Sequence, residues 1–102
     1  MKTNAIRINE YGGPEVLSYS EIDLPKLQSG EARVRHTAIG LNFIDTYHRS
    51  GLYPLPLPSG IGLEAAGKID EVGSDVTEFS KGDNIAYAST PIGSYSQQRI
   101  IP

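Results

Sequence analysis

Proline occupies every second position from Pro54 to Pro58, and glycine follows at positions 60, 62 and 67. No regular helix passes through such a run, because each proline fixes φ and removes a backbone donor. Similar punctuation recurs at Tyr11-Gly12-Gly13-Pro14, Gln28-Ser29-Gly30, Gly73-Ser74-Asp75, Lys81-Gly82-Asp83 and around Pro91 and Gly93. Such residues favour turns. The intervals between them suit short strands. This spacing predicts a mainly β, barrel-like domain with a minor helix. Near-complete closure of the barrel is expected to protect most strand edges.

The strands follow from alternation. Ala5 to Asn9 places Ile6 and Ile8 on one face, and Val16 to Ile22 is a second, less regular candidate limited by Pro25. Glu31 to Leu41 is stronger: Ala32, Val34, His36 and Ala38 share one face, and Arg33, Arg35 and Thr37 the other. The arginines suit a surface or an anionic ligand, and His36 suits a structural place among apolar neighbours. Lys68 to Val72, Asn84 to Ala88 and Tyr95 to Ile101 complete the set. Gly60 to Gly67 reads as a glycine-framed loop. It is not a G-x-G-x-x-G dinucleotide signature, since no strand precedes it and no long helix follows.

Between the third strand and the prolines lies the one helical stretch. Asn42 is a plausible N-cap, Asp45 stands three residues on, and Gly51 suits the C-terminus. Phe43, Ile44 and Tyr47 are expected to cover one side, with Asn42 and Tyr47 near one end of a cleft. His48 and Arg49 favour the negative end of the helix dipole. Asn42, Asp45, Tyr47 and Tyr53 form the most economical polar cluster. An amide donates and accepts, and a phenol donates or stacks on a flat ring. These abilities suit a reductase cleft and equally an ordinary folded loop. Glu64, among small and apolar residues, reads as structurally paired or catalytic.

Several chemistries lack their residues. The chain has no cysteine, so disulfides, thiolate nucleophiles and cysteine-bound metals are absent from these residues. His36, His48 and Glu64 do not assemble a convincing metal set. There is no G-x-S-x-G element. A net charge of −3 without a long basic run gives no support for nucleic-acid binding. No segment is apolar for long enough to span a bilayer, and the opening MKTNAIRINEYGG lacks a secretory apolar run. The expected setting is cytoplasmic.

The run GLNFIDTYHRSGLYPLPLPSGIGLEAAGKIDEVGSDVTEFSKGDNIAY, with MKTNAIRINEYGGPEVL before it, closely resembles the NADPH-dependent quinone oxidoreductases. These are zinc-independent, zeta-crystallin-like members of the medium-chain dehydrogenase/reductase superfamily. NFIDTY, SGLYP and the G-x-E-x-x-G-x-I-x-x-V-G spacing carry the resemblance together, and it covers essentially the whole chain. It implies a GroES-like, partly open β-barrel over residues 1–102. This would be the amino-terminal, substrate-side domain of a two-domain reductase, whose following Rossmann domain is absent here.

In related alcohol dehydrogenases the catalytic-zinc cysteine aligns with Asn42 and a histidine ligand with Leu63. The resemblance thus implies NADPH as cofactor, no zinc, a quinone as substrate and a homodimeric parent. It places Asn42, Ile44, Asp45 and Tyr47 at the nicotinamide cleft and Tyr53 beside the quinone. Asn42 and Tyr53 are the candidate catalytic pair, Asp45 supports the local network, and Glu64 is a structural remnant of the zinc pattern. One-electron reduction to a semiquinone and two-electron reduction both stay open. The alternatives are a zinc-free enoyl or alkenal reductase domain, a non-catalytic GroES-like binding module and a co-chaperonin barrel. The isolated chain is expected to have negligible turnover.

Overall fold

A computed structural model describes all of residues 1–102. The strands are β1 (Lys2–Ile8), β2 (Ser18–Asp23), β3 (Ala32–Ile39), β4 (Ser59–Gly60), β5 (Glu64–Val72), β6 (Asn84–Ala88) and β7 (Gln98–Ile101). One helix, α1 (Phe43–Ser50), lies between β3 and β4, and Pro14–Val16 forms a 3-10 turn. The strands make two sheets, ordered β2-β1-β4 and β6-β5-β3-β7, with every pairing antiparallel.

The sheets are joined by an irregular segment rather than by a continuous ladder. Tyr95 accepts from the N–H of Ile6 at 2.8 Å and donates to Ile61 at 2.9 Å through its backbone, and Gln97 donates to Asn4 at 3.0 Å. A single bridge pairs Ala5 with Ser96. On the other side, His36 N–H donates to Gln97 C=O at 2.8 Å. Residues 93–97 thus stitch β1 to β3 while their own strand character is lost. The barrel is partly open, and closure is less complete than the turn pattern suggests.

Two further differences have local causes. The regular part of the last strand begins at Gln98, because Tyr95 and Gln97 are committed to partners on both sheets. The Gly60–Gly67 segment is not a loop throughout: β4 pairs with β1, and β5 already begins at Glu64. Gly67 sits inside β5 because the strands crowd there. A Cβ at this position would lie 2.1 Å from the carbonyl oxygen of Arg35 and 2.9 Å from the Cα of His36. Both obstacles are backbone, so nothing flexible can yield. β3 also has irregularities between Arg33 and Val34 and between His36 and Ala38. These break the simple alternation, and Ala38 is exposed while Val34 is fully buried.

The apolar centre is small: Ala5, Ile8, Val34, Ile61, Ala65 and Ile69. Buried polar groups sit alongside it and need partners. Arg33 and Arg35 both approach Asp70, at 3.6 and 3.7 Å, and Arg33 also reaches Glu71 at 3.2 Å. The two arginines therefore meet carboxylates of this chain. His36 bridges three strands: Nδ1 lies 2.7 Å from Ser96 C=O and Nε2 lies 2.8 Å from the Tyr87 hydroxyl. Arg99 donates to the same hydroxyl at 3.2 Å. The roles are consistent for a neutral ring that donates from Nδ1 and accepts at Nε2.

Burial holds the His36 imidazole below its ordinary value, and the nearby Arg99 charge acts in the same direction, against the bond to Ser96. The unfolded chain then binds a proton near pH 6.5 that the folded chain resists. Stability from this site is complete above that pH and declines as pH falls through it. Urea midpoints are expected to drop between pH 7.5 and 5.5 in the parent chain, and the drop is expected to shrink in His36→Gln. An equal drop in both chains would remove His36 as its source. Gly67→Ala is expected to cost about 1–3 kcal/mol by overpacking, measured as a lower urea midpoint at unchanged pH.

Candidate functional site

β3 leaves its sheet at Gly40, and the chain returns to the same place at Glu64. The Gly40 N–H donates to Glu64 C=O at 3.0 Å, just beyond the Ile39–Ala65 pair. The intervening excursion carries α1, the proline run and every candidate site residue.

Asn42 begins α1 in the extended N-cap conformation, with φ −131° and ψ 152°. Its N–H donates to Asp45 Oδ2 at 3.1 Å, and the Asp45 N–H donates to Asn42 C=O at 3.0 Å. The Asp45 carboxylate thereby satisfies a donor at the helix start and sits where the dipole favours negative charge. It is 5% exposed, the one buried residue of α1. Phe43, expected to cover an apolar side, is instead 82% exposed. The helix is seated by its carboxylate rather than by an apolar stripe.

That carboxylate is anchored from outside the excursion. The Tyr95 hydroxyl donates to Asp45 Oδ2 at 2.5 Å. Burial, and then the bond to Asp45, push the Tyr95 phenol above its ordinary value, so it remains a donor. A hydrogen bond to a charged group contributes about 1.5–3 kcal/mol. The sequence reading missed Tyr95. Its only signal was an aromatic in a polar, glycine-bounded segment, and no local spacing links it to a residue fifty positions earlier.

The remaining candidates form a second, aromatic group. Tyr47 and Tyr53 stack edge to face with centroids 5.3 Å apart, and His48 lies 6.2 Å from Tyr53 in a similar tilt. Tyr53 N–H donates to Tyr47 C=O at 3.2 Å, as does that of Gly51 at 3.1 Å. Gly51 adopts φ 89°, the left-handed geometry that lets the helix stop there. Tyr53 is 49% exposed, and Ile44 is half-buried. No hydrogen bond or ring contact joins Asn42 to Tyr47 or Tyr53. The site therefore has two parts, a polar one at the helix start and an aromatic one at its end.

Tyr11, also missed, fixes the proline run. Its hydroxyl accepts from Leu55 N–H and donates to Leu55 C=O, both at 2.8 Å. Its ring fills the space above Gly51, where a Cβ would come within 2.8 Å.

Glu64 faces the polar part. Its Oε1 accepts from Asn42 Nδ2 at 2.9 Å. A groove of about 540 Å³ borders this point, walled by Ile39, Glu64 and Tyr87 and floored by Ala65, Ala66 and Ala86. Asn42, Tyr47 and Tyr53 stand beside that groove rather than in it. No cluster of three or more His, Cys, Asp or Glu side chains is placed to hold a metal ion. No helix is long and apolar enough to cross a membrane.

Comparison with known proteins places this geometry. The family profile of the alcohol dehydrogenase GroES-like domain matches residues 28–99. A quinone oxidoreductase of Pseudomonas aeruginosa is 55% identical over 97 residues, covering 94% of this chain and 30% of the relative. A 2-haloacrylate reductase of Burkholderia is 42% identical over 93% of this chain and 30% of its own length. The crystal structure of Escherichia coli quinone oxidoreductase complexed with NADPH superposes with a TM-score of 0.92. It is 47% identical over 96% of this chain and 30% of that one. The chain thus spans about a third of the length of these relatives and corresponds to their amino-terminal, GroES-like part. With a family match over most of its length and the partly open barrel to accompany it, the chain belongs to the alcohol dehydrogenase GroES-like domain family.

Proposed function

We propose that this chain is the substrate-side domain of a zinc-independent, NADPH-dependent quinone oxidoreductase acting in the cytoplasm. The observation that carries the reading is the start of α1. An amide, Asn42, stands where the resemblance puts a zinc-binding cysteine. It is held by two carboxylates, with an aromatic pair one helix length away. Such a site is suited to binding a flat, polar ring rather than to polarising an alcohol on a metal.

The residues present fit a nicotinamide. Asn42 is exposed and its side chain makes no cap bond to the helix, so it is free to meet a carboxamide. Ile44 and Tyr47 offer apolar and aromatic surface on the same helix. Asp45 is buried, so its part is to hold the helix start that presents Asn42. NADPH, when bound, supplies the reducing equivalents. Tyr53, half exposed and braced against Tyr47, contributes a ring to stack on a quinone and a hydroxyl to donate to its oxygen. Positioning of this kind lowers the barrier by proximity and by charge stabilisation at the developing oxyanion.

The relatives are about three times longer than this chain. A following Rossmann domain supplies the larger part of the cofactor surface and the contact of a homodimer. Exposed apolar side chains near the site are consistent with such a cover: Leu41 is 80% and Leu52 64% exposed. The likeness to a 2-haloacrylate reductase supports a second reading, reduction of a carbon–carbon double bond beside an electron-withdrawing group, with the same domain and cofactor. Neither nucleic acid nor a membrane has a place in this reading.

The 102-residue chain alone is expected to bind NADPH weakly and to oxidise it negligibly with quinones. Robust binding together with quinone-dependent turnover would contradict the division of labour proposed here. In the longer protein, Tyr53→Phe is expected to lower quinone kcat/KM roughly tenfold through loss of one hydrogen bond. Unchanged turnover would reject the hydroxyl and leave only the ring. Product analysis with a quinone and an enone separates the two readings.

A further inference from the structure

The resemblance leaves Glu64 without a task, as a remnant of a metal site. The structure gives it a specific neighbour. Glu64 opens β5, where it pairs with Ala88 of β6, and its side chain is exposed. Oε1 nevertheless lies 2.9 Å from Asn42 Nδ2, across the mouth of the excursion. The space for this contact exists because residue 40 has no side chain. A Cβ on Gly40 would fall 2.0 Å from Glu64 Oε1 and 2.6 Å from its carboxyl carbon. Gly40, Asn42 and Glu64 therefore form one unit at the point where β3 and β5 part.

The chemistry of the pair fixes an orientation. An ionised carboxylate only accepts hydrogen bonds, whereas a primary amide donates at nitrogen and accepts at oxygen. Asn42 must turn its nitrogen toward Glu64, and its carbonyl oxygen is directed elsewhere. That oxygen makes no cap bond to the helix. We infer that Glu64 is a positioning residue that sets the Asn42 amide with its carbonyl free for a ligand, so that Asn42 selects a ligand donor. A nicotinamide carboxamide carries such a donor, and a quinone oxygen does not. Asn42 thus serves the cofactor side of the cleft, and the quinone is left to Tyr53. The ligand assignment rests on the nicotinamide reading above; the orientation rests on the contact itself.

The test uses the 102-residue chain, labelled with 15N, and two dinucleotides. They are NADPH and its reduced 3-acetylpyridine analogue, in which a methyl replaces the amide NH2. In the parent chain the Asn42 side-chain N–H pair is expected to be split by the bond to Glu64. In Glu64→Ala the splitting is expected to collapse, with the main-chain signals of α1 in place. Gly40→Ala, which displaces the carboxylate from the backbone side, is expected to give the same change. Identical Asn42 side-chain signals in the parent and both variants would overturn the positioning role.

In titrations the parent chain is expected to prefer NADPH over the acetyl analogue about fivefold, the effect of one hydrogen bond. Glu64→Ala and Glu64→Gln are expected to lose that preference, the latter because an amide partner permits either orientation. Equal affinities in the parent, or a preference that survives in both variants, would overturn the donor selection. Should neither dinucleotide move any signal, the nicotinamide reading fails instead, and the Asn42 side-chain spectrum alone decides whether Glu64 positions it.

Discussion

The antiparallel pair of β3 and β5 is the constraint on which the rest of the molecule depends. It joins the two halves of the larger sheet, and its crowded crossing at Gly67 admits no side chain. Both ends of the site-bearing excursion are fixed at one end of this pair, by the Gly40–Glu64 backbone bond. Long segments are cheap to close when their ends are already held together, because the closure entropy grows only slowly with length. The ladder therefore lets a proline-stiffened segment with little apolar burial of its own keep a defined path.

The interior is an uneasy mixture. Buried apolar side chains are few, and serines, a glutamine, an arginine and an aspartate are buried beside them. Each buried polar group left unpaired would cost about 1–3 kcal/mol. Specific pairs absorb most of this cost: Asp45 with Tyr95, His36 with Tyr87 and Ser96, and Gln98 with Asp70. These pairs also decide the geometry of the site, because one of them seats α1. Fold and site share the same hydrogen bonds, so a substitution far from the cleft can displace Asn42.

Much of the framework was legible in the sequence. Alternation located β1, β3 and β6, and the Asn42–Asp45 spacing with Gly51 bounded the helix to within a residue. The glycines between 60 and 67 misled, because a glycine that opens a turn and one that permits two strands to touch are the same letter. Gly67 is of the second kind. The alternation of β3 failed at its bulges for a similar reason, since partner strands determine where a ladder slips. Tyr11, Tyr95 and the His36–Tyr87–Arg99 network were not legible at all. Their partners lie up to 60 residues away, and a phenol carries no mark of what it will bond. The motif found the site, but not the side chains that hold it in place.

The double bond of Tyr11 to Leu55 has a consequence for how the protein can be divided. One phenol here does the work of a strand neighbour, offering a donor and an acceptor to a single backbone residue. The loop that carries Tyr53 is consequently registered against the amino-terminal segment, and not only against the helix before it. Severing the chain between β1 and β3 would leave every motif residue of the excursion intact in composition. It would nonetheless release the aromatic half of the cleft from its outer brace. The smallest unit able to present the cleft is therefore larger than the motif by which the cleft is recognised.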